Sequence, residues 1–189
     1  RLLMQQYRQR FLGRILDAAR KAGKFNIAAI SGGSKSNAIA REAQATVTAD
    51  TPVLKKIKSI VNRLSKDLKE EFAAVDPDIE VAAASADKVA EQLDRVSTEK
   101  LIDFLVIAPN GVQSMSKDLE DLVESSLNLG VLEQSGKSIK ITISVRSSVN
   151  SIREGITRRL EALARLVNSK SARTGEYPAW HYEADSKIR

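Results

Sequence analysis

Several stretches of the chain repeat apolar residues every three or four positions, which is the spacing of an amphipathic helix. The predicted helices cover residues 3–22, 52–74, 87–107 and 151–167. Gly23 offers a C-terminal cap for the first helix, and Thr51-Pro52 supplies a cap residue and a first-turn proline for the second. The third helix is predicted to end at Ala108-Pro109-Asn110-Gly111, because proline breaks a helix.

Other stretches alternate apolar and polar residues, which is typical of strands with one buried face. The predicted strands cover residues 25–31, 43–49, 79–84, 127–131 and 139–146, and a weak strand is predicted at 172–177. The stretch with Asp118 to Leu122 receives no firm assignment. The first two strands form a hairpin, but its connection is much longer than the two residues that suffice to reverse a strand. That connection reads Gly32-Gly33-Ser34-Lys35-Ser36-Asn37-Ala38-Ile39-Ala40-Arg41-Glu42.

The order helix, hairpin, helix, strand occurs twice. A shift of about a hundred residues superposes the apolar pattern of the first half on the second, with Val47 on Val145 and Ile57 on Ile156. We predict an α+β fold of two tandem ferredoxin-like units, each an antiparallel sheet with helices packed on one face. The units cover residues 1–85 and 86–180, and 181–189 form a tail. The alternative to a duplication is that the order helix, hairpin, helix, strand, which is common in α+β proteins, occurs twice by chance.

The composition limits the classes of function that the chain can have. Of the 189 residues, 42% are hydrophobic and 29% charged, as in ordinary globular proteins, and the net charge of +6 permits a nucleic-acid partner. Apart from the weak strand at 172–177, the predicted strands lack the aromatic pair of ferredoxin-like RNA-binding domains, since Phe25 is their only aromatic residue. We therefore expect no nucleic-acid partner. Without Cys and with one His, His181, the chain has no thiolate or imidazole metal cluster and is not expected to be a self-contained hydrolase. No apolar run is long enough to span a membrane, and we expect a cytoplasmic protein without a membrane partner.

Two polar side chains are candidates for ligand binding. Asn37, in the long connection, offers a donor and an acceptor for a carbonyl oxygen or oxyanion, and Arg146 ends the strongest strand with a fork that suits a carboxylate. Gly32 and Gly33 permit unusual dihedrals or a close backbone approach. From the residues alone, a turn role for Asn37 and a surface ion pair for Arg146 are the simpler explanations.

Several segments together resemble the aminoacyl-histidine dipeptidases, bacterial relatives of carnosinase among the dizinc exopeptidases. These segments are residues 31–43, Ala108-Pro109-Asn110-Gly111-Val112, Val123-Glu124-Ser125-Ser126-Leu127-Asn128-Leu129-Gly130-Val131, Val145-Arg146-Ser147-Ser148 and Tyr177-Pro178-Ala179-Trp180. The resemblance implies the ferredoxin-like lid, or dimerisation-type, domain of such an enzyme. The metal ligands for two zinc ions would then lie in a catalytic domain outside this chain, which alone would be inactive.

The same resemblance implies roles for individual residues. Asn37 matches the lid asparagine that reaches toward the substrate, Arg146 matches the lid arginine for the substrate carboxylate, and the Gly32-Gly33 pair belongs to the loop that supports the site. No catalytic residue and no metal ligand are expected here. Ala40 stands where the family usually has proline, which leaves the rigidity of the loop open.

The implied partners are a dipeptide substrate, the protein's own catalytic domain and a second copy of the chain in a homodimer. The chain opens at Arg1 rather than at Met, which fits a piece of a longer polypeptide, and its first unit is expected to begin at a helix without a leading strand. The alternative from another class of protein is a non-catalytic oligomerisation or regulatory module of duplicated ferredoxin-like units.

Overall fold

The computed structural model of the protein describes residues 2–6, 9–38, 40–87 and 91–177. Four helices are interspersed among seven strands in these ranges, and a 3-10 turn at Arg20–Ala22 follows the first helix. The elements are β1 (Leu2–Gln6), α1 (Gln9–Ala19), β2 (Asn26–Gly32), β3 (Ala43–Thr48), α2 (Thr51–Phe72), β4 (Val81–Ser85), α3 (Arg95–Ile107), β5 (Gly111–Met115), β6 (Val123–Ser135), β7 (Ser138–Ser147) and α4 (Asn150–Leu166). The predicted α+β class is confirmed.

All described strands join one antiparallel sheet. Its order is β4-β1-β3-β2-β6-β5, and β7 pairs with β6. The segment from β1 to β4 has the β-α-β-β-α-β order of a ferredoxin-like unit. In the second half, α3, the hairpin of β6 and β7, and α4 follow the same succession as α1, the hairpin of β2 and β3, and α2. The 13-residue strand β6 pairs with β5, β7 and β2, so the two halves share a continuous sheet.

The joint between β2 and β6 depends on side chains as well as on the strand ladder. The backbone pairing is a single pair, Gly32 with Leu132. Beside it, Gln134 Oε1 accepts a hydrogen bond from the Ile30 nitrogen at 2.9 Å, and Gln134 Nε2 donates to the Ala28 carbonyl oxygen at 3.2 Å. Backbone polar groups in a protein interior need partners. Gln134 supplies partners for two groups at this edge of β2.

The helices pack on one face of the sheet and enclose the core. The rings of Phe11 and Phe72 meet edge to face with centroids 4.8 Å apart. In the second half, Leu163 of α4 belongs to the same apolar cluster as Leu129 and Leu132 of β6. The helical pattern predicted for α2 is confirmed by its buried residues, which are Ile57, Val61, Leu64 and Leu68.

The first described element is a strand rather than the predicted helix. β1 pairs with β3 on one edge and with β4 on the other, and the described part of α1 is Gln9–Ala19. The predictions of a helix from Leu3 and of a first unit without a leading strand are therefore wrong. A position between two strands offers ladder hydrogen bonds on both edges, and this outweighs the helical spacing of Leu3. Tyr7, part of the predicted pattern, lies outside the described residues.

The third helix begins at Arg95 and not near residue 87 as predicted. Asp94 caps it, since its Oδ1 accepts a hydrogen bond from the Ser97 nitrogen at 2.8 Å. Just before the cap, the Leu93 nitrogen donates to the Ile27 carbonyl oxygen at 2.8 Å and ties the chain to β2. Val96, predicted on the apolar face, is exposed. Val89 lies outside the described residues.

Two more predictions for the second half differ from the structure. The strand β5 was not predicted, because two polar residues separate Val112 from Met115 and break the alternation. Residues 172–177 contain no strand, contrary to the weak strand predicted there. Arg173 in this stretch instead forms ion pairs with Glu154 and Glu161 of α4.

Candidate functional site

The long connection between β2 and β3 is a loop closed at its base. The Gly33 nitrogen donates to the Glu42 carbonyl oxygen at 3.1 Å, and Gly33 has φ 65°, a left-handed conformation that glycine adopts without strain. Further along, the Ala38 nitrogen donates to the Lys35 carbonyl oxygen at 3.3 Å and closes a tight turn. Asn37 lies in this turn with its side chain exposed. Asn37 can therefore be a turn residue and still bind a ligand with its exposed side chain.

Gly32 occupies the junction of the two halves. It is buried, and it pairs with Ala43 of β3 on one side and with Leu132 of β6 on the other. The two glycines of the loop thus differ, since Gly32 belongs to the sheet and Gly33 turns the chain out of it.

The turn is held from the second half of the chain. Asn128 Nδ2 donates to the Ser36 carbonyl oxygen at 3.0 Å and to the Ala38 carbonyl oxygen at 2.7 Å, so it bonds the residues on both sides of Asn37. Gly130 lies against the same turn, because a Cβ atom on it would be 2.4 Å from the Ser36 Cα atom. β6 thus provides both a double hydrogen bond and room for the turn.

Arg146 lies close to Asn128 on the sheet. The register pairs Ser126 with Arg146 and Asn128 with Ser144, so Arg146 and Asn128 are diagonal neighbours on one face. Such neighbours have Cα atoms about 7–8 Å apart. The face is the one without helices, since Leu129, adjacent to Asn128, points into the core. Two residues predicted from distant parts of the chain, Asn37 and Arg146, are therefore brought to the same face.

Arg146 is an exposed residue. Within the described ranges it has no carboxylate partner, so the surface ion pair considered from the sequence is not formed there. A cleft of 1390 Å³ between β7, α3 and α4 is lined by residues from both faces of the edge strand β7, among them Arg146, but not by Asn37. The two residues share a face of the sheet rather than a common cavity.

The described part of the chain contains no group of three His, Cys, Asp or Glu side chains placed to hold a metal ion. His181 lies outside the described residues. The ligand set that two zinc ions need is therefore not found in these ranges. No helix among the described residues has the length and apolar character needed to cross a membrane.

A network of charges attaches the stretch after α4 to that helix. The Arg173 guanidinium donates to Glu154 at 2.7 and 3.0 Å and to Glu161 at 2.7 Å. Together with Arg158, it lowers the pKa of Glu154 to about 2, and the Arg173 hydrogen bond is the largest cause. The same fork lowers the pKa of Glu161. Arg173, Glu154 and Glu161 all line the cleft.

The fold and the loop define a class of domain, a ferredoxin-like unit extended by a second helix, hairpin and helix. Residues 10–76 match the family model described as the peptidase dimerisation domain. The chain is 31% identical over 158 residues to the cytosol non-specific dipeptidase of Escherichia coli strain K12, a match that covers 84% of this chain and 33% of that protein. Its fold matches the crystal structure of the aminoacylhistidine dipeptidase from Vibrio alginolyticus with a TM-score of 0.89 and 27% identity, over 100% of this chain and 42% of that one.

These matches confirm the resemblance predicted from the sequence, which is to the dimerisation-type domain of such dipeptidases. The chain spans 33% of one relative and 42% of the other.

Sequence reasoning missed Asn128 and Gly130 as parts of the site. Both lie in the segment 123–131, which contributed to the resemblance without a role for either residue. A glycine inside an alternating strand pattern signals a bulge or a close backbone approach. The structure has both here, since the register of β6 shifts between Leu129 and Val131.

Proposed function

We propose that this chain is the substrate-binding lid domain of a zinc-dependent dipeptidase that hydrolyses dipeptides with a C-terminal histidine. The observation that supports the proposal most strongly is the shared sheet face of Arg146 and of the turn that contains Asn37. The similarity to two dipeptidases supports the class of substrate. Dipeptides are small zwitterions, so a binding domain for them needs a cation for the carboxylate and polar groups for the peptide.

Arg146 binds the C-terminal carboxylate of the dipeptide in this proposal. A guanidinium matches a carboxylate with two parallel charge-assisted hydrogen bonds. The exposure of Arg146 and its lack of a described acidic partner support this role, because an arginine already paired to an acid would have to give up that partner.

Asn37 donates its side-chain amide to the oxygen of the scissile carbonyl, which gains negative charge during hydrolysis. A donor that is held in place before the reaction costs little reorganisation when that charge develops. The tight turn and the two bonds from Asn128 support such a fixed position.

The two zinc ions implied by the resemblance have no ligand cluster among the described residues. We place them in a catalytic domain outside this chain and assign none of the steps above to them. The chain alone is then a binding domain without peptidase activity. A non-catalytic regulatory module remains the rival, and peptidase activity of the intact protein distinguishes the two.

The substrate role of Arg146 is tested in the intact protein with Arg146→Ala. The assay compares kcat/KM for a dipeptide with that for its C-terminal amide. Loss of a charged hydrogen bond predicts a decrease of about ten- to a hundredfold for the free acid and little change for the amide. Lys140→Ala, another exposed cation on β7, is the matched control and should change neither value. An unchanged ratio between acid and amide in Arg146→Ala would contradict the role.

Homodimerisation is a second proposed function. It is supported by the description of the matched family and by β7, which pairs with β6 and with no other described strand. An open strand edge can pair with a second copy. Sedimentation equilibrium of the intact protein should show a dimer, and a monomer at every concentration would contradict this.

We also propose a cytosolic location, supported by the name of the Escherichia coli relative, and cell fractionation tests it.

A further inference from the structure

The turn that contains Asn37 makes its side-chain contacts with a strand of the other half of the chain. Asn128 on β6 donates to the carbonyl oxygens of Ser36 and Ala38 at 3.0 and 2.7 Å. The two carbonyls belong to the residues immediately before and after Asn37. A single amide group thus bridges the backbone around the proposed substrate contact.

The bridge between these two carbonyl oxygens restricts which side chain can stand at position 128. Two carbonyl oxygens accept, so the bridging group must present two donors from one side, and the NH₂ of an asparagine amide does so. An aspartate at the same place would present an anion to two acceptors. A longer glutamine would move the amide outward along the same direction.

Gly130 adds a steric condition. An ideal Cβ atom on Gly130 would lie 2.4 Å from Ser36 Cα and 2.5 Å from the Ser36 carbonyl oxygen, and real Cβ atoms do not approach backbone so closely. Any other residue at this position would therefore push the turn away from β6 and lengthen the bonds from Asn128.

We infer that Asn128 and Gly130 are positioning residues that hold the Asn37 turn against β6 and so set the place of Asn37 relative to Arg146. The functional part of this inference rests on the proposed function of Asn37. The structural part, that the turn is held by these two residues, stands by itself.

The structural part is tested by hydrogen exchange in the intact protein. The amide of Ala38, which closes the turn by donating to Lys35, should exchange about tenfold faster or more in Asn128→Ala and in Gly130→Ala. Ser144→Ala removes the cross-strand neighbour of Asn128 and is the matched control, with no expected change at Ala38. Unchanged exchange at Ala38 in both Asn128→Ala and Gly130→Ala would overturn the inference, whatever the activity.

The functional part is tested by kinetics of the same proteins. Asn128→Ala should lower kcat in the same direction as Asn37→Ala, and the double variant should be no worse than Asn37→Ala, because both changes remove one effect. Asn128→Gln should recover part of the activity and Asn128→Asp none. A faster-exchanging turn with normal kcat in Asn128→Ala, while Asn37→Ala is impaired, would overturn the positioning role. Normal kcat in Asn37→Ala would instead refute the proposed function of Asn37 and leave the exchange result intact.

Discussion

Thr98 Oγ1 lies 3.1 Å from the backbone nitrogen of Ile27 and accepts its hydrogen bond in the interior of the protein. Both residues are fully buried. The bond joins the first turn of α3 to the edge of β2, close to the place where the Leu93 nitrogen donates to the Ile27 carbonyl oxygen. Both backbone groups of Ile27 on this edge are therefore paired by the segment that connects the two halves.

Replacing Thr98 by valine keeps the shape of the side chain and removes the acceptor. The Ile27 N–H would then remain buried without this partner, and we expect the free energy of unfolding to fall by about 1–3 kcal/mol. Denaturant unfolding monitored by circular dichroism measures the change. Thr142→Val on β7 is the control, because Thr142 is only half-buried, and we expect a change within about 0.5 kcal/mol. Equal stability of the two variants would show that the Thr98 bond adds nothing net.

Two glycines on helices should respond to alanine with opposite signs. A Cβ atom on Gly13 of α1 would lie 2.9 Å from the Cβ atom and the carbonyl oxygen of Leu105 on α3, so Gly13→Ala should cost about 1–3 kcal/mol through overpacking. Gly155 of α4 faces open space, and Gly155→Ala should stabilise the protein by about 0.5–1 kcal/mol because alanine favours the helix. Thermal unfolding of both variants checks the prediction. A stabilising Gly13→Ala would mean that α1 and α3 can separate without cost.

The charge network around Arg173 predicts a pH dependence. The pKa of Glu154 is lowered from 4.5 to about 2, so its contribution to stability is present above the ordinary pKa and is lost as the pH falls toward 2. Arg173→Ala should raise the pKa of Glu154 toward its ordinary value, which an NMR titration of the side-chain carboxyl carbon can follow. The stability difference between the wild type and Arg173→Ala should shrink over the same acidic range. Arg159→Ala, an exposed arginine on the same helix, should leave the titration of Glu154 unchanged.

Asn37→Ala in the intact protein should lower turnover of a good dipeptide substrate by about a hundredfold, the usual loss when one donor to a developing oxyanion is removed. The content of bound metal should stay the same, since Asn37 is not near a metal-ligand cluster in the described residues. Metal analysis and steady-state kinetics together measure this. Lys35→Ala, in the same turn and also exposed, should retain full turnover. Loss of metal in Asn37→Ala would indicate a structural role instead.

The parts of the fold that the sequence predicted well are those in which local signals agree. In α2, Pro52 in the first turn and the apolar spacing through Leu68 both indicate a helix, and α2 runs from Thr51 to Phe72, although its N-cap is Asp50 rather than the predicted Thr51. In β7, the alternation from Ile139 to Val145 is regular, and the strand covers it. Local chemistry suffices for such elements.

The errors in predicting secondary structure arise where contacts with residues distant in the chain determine the element. The spacing of Leu3 permits a helix or a strand, and β1 is a strand because β3 and β4, which lie later in the chain, flank it on both edges. Likewise α3 begins only after Leu93, whose nitrogen donates to the Ile27 carbonyl oxygen of β2, although the apolar pattern in the sequence extends further back. No window of neighbouring residues contains this information.

For the site, the chemistry of the residues alone favoured a turn role for Asn37 and a surface ion pair for Arg146. The resemblance to a family favoured a substrate-binding role for both. Their common location follows from the register of Ser126 with Arg146 and from the bonds of Asn128, neither of which a pattern along one chain reveals. Their roles in binding a substrate stay predictions until the variants above are measured.

The bonds from Asn128 to the turn join residues 92 and 90 positions apart in the chain. During synthesis, the turn around Asn37 emerges long before the strand that holds it, and a contact of such large sequence separation requires a large loop to close, which is entropically costly. The polar turn therefore reaches its final shape only after β6 has docked beside β2. A chain interrupted or misfolded in its second half would lack the two bonds from Asn128 that hold the turn, so completion of the sheet is a condition for a finished binding surface.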